Sequence, residues 1–251
     1  MTDIHCLKCR RRTETIDVTR DSRKEIGKCL QCGTKKCRFV RVIKGEGVEE
    51  RGHFAKYAKL AYAPIGERGT NLDRKLSTDE SSVWLEGNDL IIGYRGSTPT
   101  NADLISDSRI LIGTFLNGPR FKRSLKTTQE AMKRYPSKRV ILVGHSLGAR
   151  LSHDVGMLLG VKSYSFNIGS SPVDIPQNIV DSLRCKFTTD EKHKEACNKI
   201  KENNKSYHSY GDPLSLSSIT GHAQTEFVKP TQANVHGIEN FIPEPESQLN
   251  K

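Results

Sequence analysis

RVILVGHSLGARL, from Arg139 to Leu151, joins three signals in one short stretch. Val140-Ile141-Leu142-Val143 is a continuous apolar, β-branched run, the pattern of a strand buried on both faces. It leads straight into Gly144-His145-Ser146-Leu147-Gly148, a G-x-S-x-G sequence, and then into a helix-compatible stretch ending near Leu159. Strand, sharp turn and helix form the context in which this pattern becomes a nucleophile elbow. A serine on so tight a turn needs a strained backbone, and side chains at Gly144 or Gly148 would collide with the neighbouring strand or helix. The turn lifts the Ser146 hydroxyl clear of the sheet and sets a helix N-terminus beneath it, where backbone N–H groups can meet an oxyanion. A serine acting only as a helix N-cap is the plainer reading. The apolar strand before it favours the elbow.

Working outward, Val83 to Gly87 and Leu90 to Tyr94 flank Asn88-Asp89 and predict a hairpin. Phe121 to Tyr135 predicts an amphipathic helix closed by Pro136, and Ser163 to Gly169 alternates as a strand. His53 to Tyr62 spaces Phe54, Tyr57, Ala58 and Ala61 as a helix does. Strands alternating with helices predict an α/β fold with a mostly parallel sheet flanked by helices.

A serine hydroxyl is a weak nucleophile and needs an imidazole, itself held by a carboxylate. In hydrolases of this architecture the acid and then the histidine follow the serine in the chain. Asp212 follows a plausible strand, Ser206 to Gly211, whereas Asp174, Asp181 and Asp190 come too early or sit in a charged insertion. Three histidines lie late enough. His208 falls inside the strand leading to the acid, which points to packing, while His222 and His236 both stand in loops.

GHSLGA resembles the nucleophile motif of the class 3 (fungal-type) lipases of the α/β-hydrolase superfamily, and the likeness runs from about Gly52 to Ile242. Tyr94-Arg95-Gly96-Ser97-Thr98 is similar to the (F/Y)-R-G-(S/T) segment of that family. The resemblance implies that the backbone N–H groups of Ser97 and Leu147 form the oxyanion hole. It places the acid at Asp212, in a D-P step, and the base at His236, which begins HGIENF just before a terminal helix. It makes His145 a neighbour of the nucleophile that orients rather than reacts. Thr100 to Asp107 stands where the family carries a tryptophan-containing stretch, and here the tryptophan is absent. Ile110 to Leu116 reads as core, acyl-binding wall or short lid.

Charge divides the chain. Residues 1–44 hold thirteen Lys or Arg against five Asp or Glu, a net +8 of the total +11. Two compositions predict two units. In the first, Cys6-x-x-Cys9 and Cys29-x-x-Cys32 are separated by nineteen residues, a spacing in which four thiolates close a tetrahedral zinc site. Two disulfides or a redox pair fit less well. About forty residues bury too little core alone, and a structural metal makes up the deficit. The unit resembles a zinc ribbon, more narrowly the short ribbons carried by proteins of large DNA viruses. Its arginines and lysines could meet nucleic acid or an acidic protein, though Phe39 is its only aromatic residue. Gly45 to Gly52 reads as a linker, residues 53–243 as the hydrolase domain and 244–251 as a polar tail.

The start of the chain lacks the basic-then-apolar pattern of a secretory signal, and no apolar run is long enough to span a bilayer. An intracellular setting is therefore expected, host cytoplasm or virion if the source is viral, with at most transient contact with a membrane surface. Cys37 is expected as a free thiol; Cys185 and Cys197 could form a disulfide, a further metal-ligand pair or two idle thiols, and a reducing compartment favours idle thiols. The combined expectation is a serine carboxylester hydrolase acting on a lipid or small ester, with zinc structural and no cofactor in the chemistry. The alternative is a silent hydrolase fold used for binding, with the ribbon as the working module.

Overall fold

The computed structural model describes residues 2–6, 8–21, 24–39, 46–97, 118–169, 187–212 and 223–243. They form two compact units, dividing between Val48 and Glu49.

The first unit is a four-stranded antiparallel sheet in the order β1-β2-β3-β4, from Thr2–Cys6, Arg11–Asp21, Lys24–Cys29 and Lys35–Phe39. Thr13 to Val18, an alternating run, lies within β2, whereas β1 and β3 show no clean alternation. Lys36 is buried, and its ammonium donates to the carbonyls of Thr13 and Glu14 and to the Thr15 hydroxyl. A buried cation is tolerated because its donors are spent on oxygens.

The second unit carries a six-stranded sheet whose strands lie side by side in chain order: β5 Ser81–Glu86, β6 Asp89–Tyr94, β7 Arg139–His145, β8 Lys162–Phe166, β9 Asn204–Ser209 and β10 Gln224–Val228. β5 and β6 form the expected antiparallel hairpin, turning at Gly87-Asn88, and β6 to β10 are parallel. Helices α2 (Pro119–Arg134), α3 (Leu147–Leu159) and α4 (Glu191–Asn203) make the crossovers that parallel pairing requires. This is an α/β-hydrolase fold. Strand β10 (QTEFV) was not anticipated; as a polar edge strand it has no apolar run to betray it.

Strand alternation sends side chains to two cores. On one face Trp84, Ile91, Ile141, Val143, Tyr164 and Phe166 pack against Phe54, Tyr57 and Ala61 in and just after helix α1 (Glu46–Leu60) and against Phe241. On the other, Leu90, Ile92, Tyr94 and Leu142 meet Phe121 and Ala131 of α2 and Leu151 and Val155 of α3. Helix α1 runs from Glu46 to Leu60, so the stretch expected as a linker is largely helical. Its two glycines weaken but do not forbid a helix when the following turns bury an apolar face. The helix expected after His236 is a single 3₁₀ turn, Ile238–Phe241. Cys197, expected as an idle thiol, is disulfide-bonded through a sulfur outside the described side chains. That expectation rested on compartment, not on geometry. Cys185 and the stretches Thr100 to Asp107 and Ile110 to Leu116 also lie outside the described residues, as does the side chain of Cys37.

Candidate active site and candidate metal centre

Parallel strands end on one edge of the sheet, and the candidate residues gather there. Ser146 sits between β7 and α3 with φ 58° and ψ −122°, a conformation rare for a residue with a side chain. Such strain costs on the order of 1–3 kcal/mol and persists only where the surroundings enforce it. The enforcement is visible. The Ser146 N–H donates to the Phe166 carbonyl at 3.1 Å, and its own carbonyl accepts from Ala149, Arg150 and Gly169. A Cβ at Gly144 would stand 2.1 Å from the Gly148 carbonyl oxygen, and one at Gly148 would stand 2.0 Å from that of Tyr94. Strand and helix touch through hydrogens alone, which is the reason for both glycines.

Asp212 follows β9 and is buried, and its Oδ2 lies 2.9 Å from Nδ1 of His236. Asp212 and His236 thus meet as expected. The ring of His236 is about a quarter exposed, and its Nε2 is buried without a hydrogen-bond partner among the described residues. No hydrogen bond therefore joins that nitrogen to the Ser146 hydroxyl. Such bonds are often long in substrate-free enzymes and tighten when substrate binds. The histidine is tied to the elbow through its backbone: Nε2 of His145 lies 2.7 Å from the His236 carbonyl oxygen, and the two rings are 4.9 Å apart. Leu147 is the first residue of α3. Ser97 follows β6, and a Cβ on the adjacent Gly96 would stand 2.7 Å from the His145 carbonyl oxygen, so that loop lies against the residue before Ser146.

Two of the rivals, Asp190 and His208, are placed elsewhere. Asp190 caps α4, accepting from the Lys192 N–H. His208 is fully buried within β9, with Nε2 2.8 Å from the Ser206 hydroxyl. Asp174, Asp181 and His222 lie outside the described residues. Two residues were missed. Asn167, with φ 44°, donates from Nδ2 to the carbonyls of His236 and Val235 and accepts the Ser209 N–H on Oδ1. Tyr62, just after α1, places its hydroxyl 3.1 Å from Nδ1 of His145. An asparagine at a strand end, where a left-handed turn is tolerated, was a readable signal for the first. Nothing in the sequence marked the second.

In the N-terminal unit the sulfurs of Cys6, Cys9, Cys29 and Cys32 all lie within 4.8 Å of one another and could hold a metal ion. The closest pairs are Cys6 with Cys32 at 3.5 Å and Cys9 with Cys29 at 3.9 Å. A tetrahedron of Zn–S bonds near 2.3 Å sets its sulfurs about 3.8 Å apart, so the donor set fits that ion in both type and spacing. Each knuckle ends on a left-handed residue, Arg10 (φ 53°) and Gly33 (φ 68°). Hydroxyls support the sulfurs: Thr13 lies 3.1 Å from Cys29 and Thr34 lies 3.2 Å from Cys32. The Thr13 hydrogen bond favours the thiolate of Cys29 and pulls its pKa down to about 6.

No protein-family profile matches the sequence, and no curated protein matches it significantly. Among solved structures, a mutant form of MDLA from Penicillium cyclopium aligns at 15% identity over 77% of this chain and 84% of its own, with a TM-score of 0.48. A structure described as a fungal lipase aligns at 15% identity over 79% and 86%, with a TM-score of 0.43. The mono- and diacylglycerol lipase from Aspergillus oryzae aligns at 16% identity over 67% and 72%, with a TM-score of 0.38. At this distance the chemistry has to be read from the chain's own residues.

Burial holds two imidazoles of this unit neutral. His145, buried and facing His236, is pushed down to about 4 despite the carboxylates of Glu239 and Asp212, and burial pushes His208 down to about 4. Unfolded, both rings would take up protons near their ordinary value of 6.5, so the unfolded chain binds more protons between there and 4. The second unit should therefore lose stability as pH falls through that window, and His208→Gln should flatten part of the slope. Urea midpoints measured from pH 7 to 4.5 check this, and a midpoint independent of pH would show that neither ring resists protonation.

Proposed function

We propose that the second unit is a serine carboxylester hydrolase acting on a lipid or small ester, with Ser146, His236 and Asp212 as its triad. The observation that carries this reading is the Asp212–His236 pair, with Nε2 left open, tied by its backbone to a strained serine elbow. Asp212 fixes the proton of His236 on Nδ1 and stabilises the imidazolium that forms later. Nε2 is then the acceptor for the Ser146 proton as Oγ attacks the ester carbonyl. The N–H groups of Ser97 and Leu147 hold the resulting oxyanion, and loss of one such donor typically costs about 3–4 kcal/mol in the transition state. His236 returns its proton to the departing alcohol. Water, deprotonated by the same nitrogen, then attacks the acyl-enzyme and frees the acid. Contact with a lipid surface would be transient.

In the first unit, zinc is the ion we propose, held by Cys6, Cys9, Cys29 and Cys32. Four thiolates at tetrahedral spacing leave no open coordination position, which makes the site structural. Zinc supplies folding energy to a unit too small to bury a sufficient core.

Two experiments test these assignments. A fluorophosphonate probe should label the wild-type protein, while Ser146→Ala should not react. His236→Ala should slow labelling by several orders of magnitude, since the triad acts as a unit. His222→Ala should change it little. An active His236→Ala beside a folded but unreactive His222→Ala would move the base to His222, and an unreactive, well-folded wild type would favour the silent binding fold.

Metal removal tests the second. The protein should carry about one zinc per chain, and chelation should unfold the N-terminal unit while ester hydrolysis persists. Loss of hydrolysis in step with zinc, from a hydrolase unit that stays folded, would make the metal catalytic.

A further inference from the structure

The hydroxyl of Tyr62 and the ring of His145 are buried groups for which the ester chemistry has no direct use. Their hydrogen bonds can be assigned donor by donor. The His236 carbonyl can only accept, so Nε2 of His145, 2.7 Å away, carries a proton. The ring is 8% exposed, and burial keeps it uncharged above about 4. A neutral imidazole protonated on Nε2 has a lone pair on Nδ1. The Tyr62 hydroxyl stands 3.1 Å from that nitrogen and 3.3 Å from the His145 carbonyl oxygen, both acceptors, so it donates to His145, with Nδ1 the nearer. Burial pushes the Tyr62 phenol up to about 12, so it keeps that proton. That oxygen lies against the backbone of Gly96. A Cβ at Gly96 would stand 2.1 Å from the same oxygen, so only glycine lets the phenol sit there.

The bonds run in one direction, from Tyr62 to His145 and from His145 to the carbonyl of His236, and Gly96 packs against the Tyr62 oxygen at their head. Gly96 precedes Ser97, whose N–H is the proposed oxyanion donor. His145 precedes Ser146, and His236 is the proposed base. We propose that Tyr62 and His145 are positioning residues whose hydrogen-bond relay sets the oxyanion loop, the nucleophile elbow and the base in register with one another. The proposal rests on the esterase reading for its catalytic consequence but not for its geometry. Asn167 is a second anchor on the same carbonyl, at 2.9 Å, and links it to the strand that leads to Asp212. The relay is therefore expected to tune the position of His236 rather than hold the fold together. Small displacements suffice, because an error of about 1 Å at reacting groups can cost about a hundredfold in rate.

Tyr62→Phe removes one oxygen and no ring. On a p-nitrophenyl ester it should lower kcat about tenfold with KM changed less than about twofold. His145→Gln should do at least as much. Because both break one chain, the double variant should be no slower than the slower single variant. Independent, multiplying losses, or a Tyr62→Phe protein with full kcat, would overturn the relay. A readout independent of turnover separates this from the esterase proposal. Nitrogen-15 NMR of the histidine rings should show His145 as the neutral Nε2–H tautomer, with Nδ1 shifting on Tyr62→Phe and the signals of His236 moving with it. His145 protonated on Nδ1, or His236 signals indifferent to Tyr62→Phe, would overturn the relay even in an active enzyme. The expected NMR pattern in a protein that hydrolyses no ester would uphold the relay geometry and remove the catalytic reading alone.

Discussion

A serine backbone held at φ 58° between β7 and α3 is the constraint on which the rest of the second unit depends. The conformation is costly, and four backbone hydrogen bonds offset it: one from Ser146 to Phe166 and three onto its own carbonyl. Those bonds require β8 to lie beside β7 and α3 to start at once. That in turn requires Gly144 and Gly148 to let helix and strand meet without side chains. The parallel order of the sheet follows, because a helix must return the chain to the start of the next strand. The elbow is therefore a local motif with global consequences.

The remaining polar groups are arranged to hold charge and protons in place. Asp212 is buried, a position a carboxylate tolerates when a partner shares its charge, and His236 is that partner at 2.9 Å. The neighbouring imidazoles of His145 and His208 are kept neutral by burial, so neither competes for the aspartate as a cation. His236 has no hydrogen-bond partner on Nε2 among the described residues, and its carbonyl is held by two anchors.

Much of this was legible before the fold was known, and the reasons are specific. The apolar run Val140 to Val143 has the pattern of an interior strand, and a serine motif followed at once by a helix left little freedom, so Ser146 and the sheet around it were readable. Asp212 was readable because a strand precedes it. The cysteine knuckles were readable because two pairs at one spacing specify a donor set. Strand β10 was not, since an edge strand with one solvated side need not be apolar. The start of α1 was hidden by Gly47 and Gly52, whose low helix propensity is overridden by the packing of Phe54, Tyr57 and Ala58 further along the same helix. Tyr62 was hidden for another reason. Its role depends on three partners, Gly96, His145 and His236, that lie far away in the chain.

The central claim is that Ser146 becomes covalently acylated during ester hydrolysis. The direct measurement is rapid acid quenching of the protein during turnover of an activated ester, followed by intact-protein and peptide mass spectrometry. The account predicts a transient mass increase of one acyl group, confined to the peptide containing Ser146 and absent from Ser146→Ala. Hydrolysis proceeding with no acylated Ser146, or with the acyl group on another residue, would contradict it.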